Sequence, residues 1–100
     1  MKTYLYKSDE EKLISFEVSN TLIGRRRVVK ILNKIPEVEI IQTPKFLSWL
    51  REDVFCRFKL KNKTFTVEEP FGDNSRYLIC SSSPEPCAEI EIIEKVFSEA

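Results

Sequence analysis

Histidine is absent from this 100-residue chain, and glycine occurs only twice. The missing imidazole removes the commonest general base and excludes Ser-His and Cys-His nucleophile systems within the chain. It also excludes mixed Cys-His zinc sites. Cysteine is sparse: Cys56, Cys80 and Cys87 are odd in number and irregularly spaced, a poor disulfide framework. No two of them stand at C-x-x-C spacing, so neither a metal nor a cofactor is expected, and the thiols are expected to be buried or incidental. Cys87 stands near a predicted helix start, a position that activates a thiol only if it is exposed. With two glycines and five prolines, the composition is not that of a disordered or low-complexity chain.

Net charge is also missing, since 16 basic residues balance 16 acidic ones. Nucleic-acid-binding domains usually carry a basic excess, so neutrality argues against that class while leaving room for a local patch. No apolar run approaches the roughly 20 residues that span a bilayer. The segment Met1–Lys7 lacks the apolar core and cleavage site of a signal peptide. The expectation is a cytoplasmic protein without membrane contact. Phosphate-loop and dinucleotide-binding glycine motifs are absent. The adjacent Glu68 and Glu69 point to opposite faces of a strand and do not form a catalytic pair. No enzymatic activity is expected.

What is present reads as one domain over residues 1–100, with 42% hydrophobic and 32% charged residues. Residues 1–12 are mixed and charged and read as a ragged lead-in, with Ser8 and Glu11 at capping-box spacing. Leu13–Ser19 alternates Ile14, Phe16 and Val18 with polar residues, the pattern of a half-buried strand. Asn20 or Thr21 is placed to cap a helix running to about Ile35, where Pro36 ends it. Leu22, Val28, Val29, Ile31, Leu32 and Ile35 form its apolar side; Arg26, Arg27, Lys30 and Lys34 form the other. Arg25 falls inside the apolar half, so it must snorkel out or find a carboxylate. Glu37–Thr43 reads as a second strand. Lys45–Asp53 suits a short helix or an irregular strand equally.

Val54–Leu60 and Lys63–Glu69 form a hairpin. A two-residue turn at Lys61-Asn62 sets Phe58 opposite Phe65; a four-residue loop sets Leu60 there instead, and both keep the apolar faces together. Arg76–Ser81 is a further strand, and Cys87–Ser98 a second helix. Its E-I-E-I start is read as helix because alternation ends after Ile92. The expected fold is α+β in two layers: one antiparallel sheet of four to five strands with two helices on one face, in the order β-α-β-β-β-β-α, the part near residue 46 being open.

Three groups of residues stand out. The first, Trp49, Arg51, Phe71, Asp73, Asn74 and Arg76, combines aromatic and arginine anchors with a polar turn, and such residues dominate binding hot spots. The simpler reading is a lone core tryptophan, turn formers, and Arg76 paired to Glu68 or Glu69 across the turn. The second is the basic helix face of Arg26, Arg27, Lys30 and Lys34, a solvated surface or a phosphate contact. The third is the face shared by Phe55, Arg57 and Lys59, with Tyr77 joining it, as an RNA-binding sheet would require. The leading expectation is a small protein-interaction module with a protein partner or a second copy as a homodimer. The alternative is nucleic-acid binding through the basic helix. The third reading is a small enzyme or ligand-binding domain using the turn region 68–77.

Overall fold

The computed structural model describes residues 1–19, 24–42, 54–69, 76–83 and 85–100. The elements run β1 (Thr3–Lys7), β2 (Leu13–Ser19), α1 (Arg25–Leu32), β3 (Glu39–Gln42), β4 (Val54–Leu60), β5 (Lys63–Glu68), β6 (Arg76–Ser81) and α2 (Ala88–Ser98). The six strands form one antiparallel sheet in the order β1-β2-β6-β5-β4-β3. α1 carries the chain across the sheet, from β2 to the far edge at β3. The β3–β6 meander then returns strand by strand to β2.

The fold class expected from the sequence is present, with six strands among the described residues instead of four to five. The added strand is β1, in the stretch read as a lead-in. Thr3-Tyr4-Leu5-Tyr6 is rich in strand formers, and it pairs with β2, setting Leu5 opposite Phe16. Ser8 caps no helix. Its backbone N–H donates to the Lys12 carbonyl at 2.8 Å, and its hydroxyl accepts from the Lys12 N–H at 3.2 Å, closing the hairpin loop with Glu11 at φ 61°.

One face of the sheet buries Phe16 and Val18 of β2, Cys56, Phe58 and Leu60 of β4, Phe65 and Val67 of β5, and Tyr77 and Ile79 of β6. Both helices pack on that face. Val28, Ile31 and Leu32 of α1, with Ile35 beyond it, join Ile90, Ile93 and Phe97 of α2 in the same core. Phe97 meets Phe16 edge to face, with ring centroids 5.6 Å apart. Ile92 of α2 faces outward and is 38% exposed.

The β4–β5 register is that of the two-residue turn. Phe58 opposes Phe65 and Cys56 opposes Val67. Lys61 and Asn62 both take positive φ, 51° and 69°, as the tight hairpin turn requires. α1 begins later than expected, with Gly24 at the N-cap and no side-chain cap bond. The expected caps Asn20 and Thr21, together with Leu22, lie outside the described residues. β3 starts at Glu39 instead of Glu37, because Glu37 sits in a turn at φ 72°. The stretch read as Lys45–Asp53 also lies outside the described residues.

Candidate interaction surfaces

Alternation along each strand sends the other set of side chains to the second face of the sheet. Tyr4 and Tyr6 of β1, Glu17 of β2, Arg76 of β6, and Arg57 and Lys59 of β4 lie there. Among the described residues no helix covers this face.

Its most connected feature is built around Glu17, which is only 8% exposed. The Tyr6 hydroxyl donates to Glu17 Oε1 at 2.6 Å, and Arg76 Nη1 donates to the same oxygen at 3.3 Å. The Arg76 guanidinium carbon lies 3.6 Å from the centre of the Tyr4 ring, a stacked cation–π contact. Lys2 Nζ is 5.2 Å from the same ring centre. Strand pairing produces this arrangement, because Tyr4 opposes Glu17 across β1–β2 and Arg76 opposes Ser19 across β2–β6. The hydrogen bond to Glu17 raises the Arg76 pKa above its ordinary value, ahead of an opposing effect of burial. The guanidinium is charged at every working pH.

Arg76 is the one member of the first expected group that the structure describes. It pairs with Glu17 on β2, distant in sequence but the adjacent strand in the sheet, and not with Glu68 or Glu69. Trp49, Arg51, Phe71, Asp73 and Asn74 lie outside the described residues. Arg26, Arg27, Lys30 and Lys34 are all exposed on α1 and the turn that follows it.

The sheet face expected from Phe55, Arg57, Lys59 and Tyr77 is corrected. A bulge between Val54 and Cys56 breaks the alternation, and Phe55 is fully buried. Tyr77 opposes the buried Val18 on the core side and meets Phe55 edge to face at 5.1 Å. Burial, and secondly the charge of Glu69, raises the Tyr77 pKa, against an opposite pull from Arg25. Only Arg57 and Lys59 remain on the outer face, and Tyr4 and Tyr6 supply its aromatics. The strand formers Thr3-Tyr4-Leu5-Tyr6 were the available signal for β1, a weak one because apolar and polar residues do not alternate there.

Arg25 resolves as a structural residue. Its guanidinium donates to Glu69 Oε1 at 2.8 Å and lies 4.6 Å from the Phe55 ring centre. It thus ties α1 to the end of β5.

Two open cavities of about 370 Å³ each lie at the end of β6 away from Arg76. One is lined by Asn62, Lys63, Thr64, Ser81, Ser82, Ser83, Glu85 and Cys87, the other by Lys12, Leu13, Pro86, Cys87, Ala88 and Glu91. Cys87 is the N-cap of α2 and borders both. Lys63, the cation of the first cavity, is engaged by Glu89 at 3.5 Å. Among the described residues no three His, Cys, Asp or Glu side chains converge as metal ligands. No described helix is long and apolar enough to cross a membrane.

No family model, curated protein or solved structure matches this chain.

Proposed function

We propose that this chain is a protein-interaction module that receives an extended segment of a partner along β1. The observation that carries the reading is the state of the two sheet edges. β3 is short and bulged at Ile41, a geometry that discourages strand addition. β1 pairs regularly with β2 from Thr3 to Tyr6 and has no neighbour on its other side among the described residues. Leu5 and Tyr6, on opposite faces of β1, are 45% and 47% exposed. A strand added there gains main-chain hydrogen bonds and takes specificity from the side chains beside it. Those side chains are Leu5 on one face and the Tyr4–Arg76–Tyr6 group on the other. Tyrosine and arginine are residues of which binding hot spots are made. Lys2 and Lys7 flank the edge, which favours a segment with an apolar centre and acidic ends. A second copy of the chain is one such partner.

The test is selection of linear peptides from a random displayed library on the intact protein, followed by amide chemical-shift mapping of the selected peptide. Shifts concentrated in residues 2–7, and an affinity about tenfold weaker for Leu5→Lys, roughly 1.4 kcal/mol, are expected. Selected peptides that map elsewhere, or that bind Leu5→Lys unchanged, would sink the reading. So would failure to select any peptide while the protein also stays monomeric in sedimentation equilibrium.

A further inference from the structure

The nineteen residues from Val18 to Pro36 carry five cations and no acid. Arg25 is held by Glu69. The other four, Arg26, Arg27, Lys30 and Lys34, are exposed, and among the described residues no ion pair engages them. Arg26 and Lys30 are four apart on α1, one turn above the other. Lys34 follows four residues later, in the turn that closes the helix, so the charges run as a ladder along one side.

This placement works against the helix itself. The N-terminus of a helix is the positive end of its dipole, where carboxylates stabilise and cations destabilise. α1 has no acid in its first turn and begins with three arginines. Arg25 is accounted for by Glu69 and Phe55, but Arg26 and Arg27 have no structural return among the described residues. A local rule broken without a compensating contact marks a functional position.

The chemistry of the face selects its partner. Among the described residues the exposed large hydrophobics are Leu5, Tyr6, Ile41 and Ile92, none of them on α1. A protein interface centred on the described residues of α1 would lack an apolar anchor. A helix lying in a membrane surface needs a free apolar side, and Val28, Ile31 and Leu32 are already buried in the core. A phosphate backbone needs only cations and the N–H groups of a helix start. We propose that α1 binds the phosphate backbone of nucleic acid, without reading sequence, through Arg26, Arg27, Lys30 and Lys34. Overall neutrality is compatible with this, because the charge that matters is the local one.

Four phosphates neutralised predict that log K falls with log salt at a slope of about −3.6 on duplex, roughly a 100-fold loss between about 50 and 200 mM salt. The experiment is fluorescence anisotropy of labelled DNA and RNA duplexes with the intact protein over that salt range. The double variant Arg26→Glu/Arg27→Glu is expected to lose binding by more than about tenfold while its thermal midpoint stays equal or rises, since it places acids at the helix start. A gain in stability with loss of binding separates function from folding. Leu5→Lys, in the β1 edge, is expected to bind duplex normally, which keeps this inference distinguishable from the proposed role of β1. Several results would overturn it: no duplex binding at about 50 mM salt, unchanged binding by the double variant, or loss of binding in Leu5→Lys. Equal competition by polyglutamate, or binding to anionic vesicles but not to duplex, would do the same.

Discussion

Single residues in this chain are explained by what they touch more than by their type. Arg25 and Arg26 are sequence neighbours, yet the first lies between Glu69 and Phe55 and the second faces solvent. The cysteines divide in the same way. Cys56 is fully buried on the core side of β4, and burial pushes its thiol up to about 11 from an ordinary 9.0. The folded protein therefore keeps a proton on Cys56 that the unfolded chain releases above about pH 9. Between those two values the folded state binds more protons, so stability falls as pH rises. Tyr77, also raised by burial, adds to the same trend above its ordinary value. Urea unfolding of wild type and Cys56→Ala from about pH 8 to 11 is expected to show the wild type losing up to about 2–3 kcal/mol more than the variant. Parallel pH profiles would show that Cys56 does not ionise selectively on unfolding. In the same range Cys56 is expected to resist alkylation until the protein unfolds, while the half-exposed Cys80 and Cys87 react first.

At the level of elements, the β4–β5 hairpin carries a small strain. Lys61 holds φ 51°, where a side chain is disfavoured and glycine is not. Lys61→Gly is expected to raise stability by about 0.5–1 kcal/mol, read as a higher urea midpoint with unchanged slope. A lower midpoint would mean that the entropy glycine adds to the unfolded chain outweighs the relief of strain. This hairpin also marks where sequence reading stops. Its strands were legible from alternation, but both registers kept Phe58 and Phe65 on the buried face, so only the turn geometry could choose. β2, β6 and α2 were legible for the same reason, alternation or a broad apolar arc. The miss at β1 has a different cause. Its Tyr4 and Tyr6 lie on the less buried face and its Leu5 sits at the sheet edge, so burial contrast, the usual signal, is weak. The bulge at Phe55 was not legible at all, because one extra residue reverses which face a side chain takes without changing composition. For the candidate surface, the helical period set Arg26, Arg27, Lys30 and Lys34 apart from the apolar side of α1, and all four are exposed, while Arg76 is partly exposed on the outer sheet face. Glu17 was not singled out, because nothing local distinguishes a carboxylate that will be buried by two residues from other strands.

On the scale of the whole molecule, the core is continuous while the charged surface is divided. Phe16, Val18, Tyr77, Ile79, Phe65, Val67, Phe58 and Leu60 form an apolar floor across the sheet, and α1 and α2 share it. α2 lies over the β1–β2 end, where Phe97 meets Phe16 edge to face, and it touches α1 beside it. A shared core of this kind couples the helices to all the central strands, so loss of one large side chain is felt everywhere. Phe97→Ala removes a fully buried ring and is expected to cost about 3–5 kcal/mol. That is a large share of the roughly 5–15 kcal/mol that holds a domain of this size. Far-UV and near-UV circular dichroism are expected to lose their native signals together at a lower urea concentration, as in a two-state transition. If the near-UV signal were lost while the far-UV signal persisted, α2 would be a separable cover and not part of one cooperative core. The β1 edge would then owe its order to β2 alone, and a partner strand would have to stabilise it on binding.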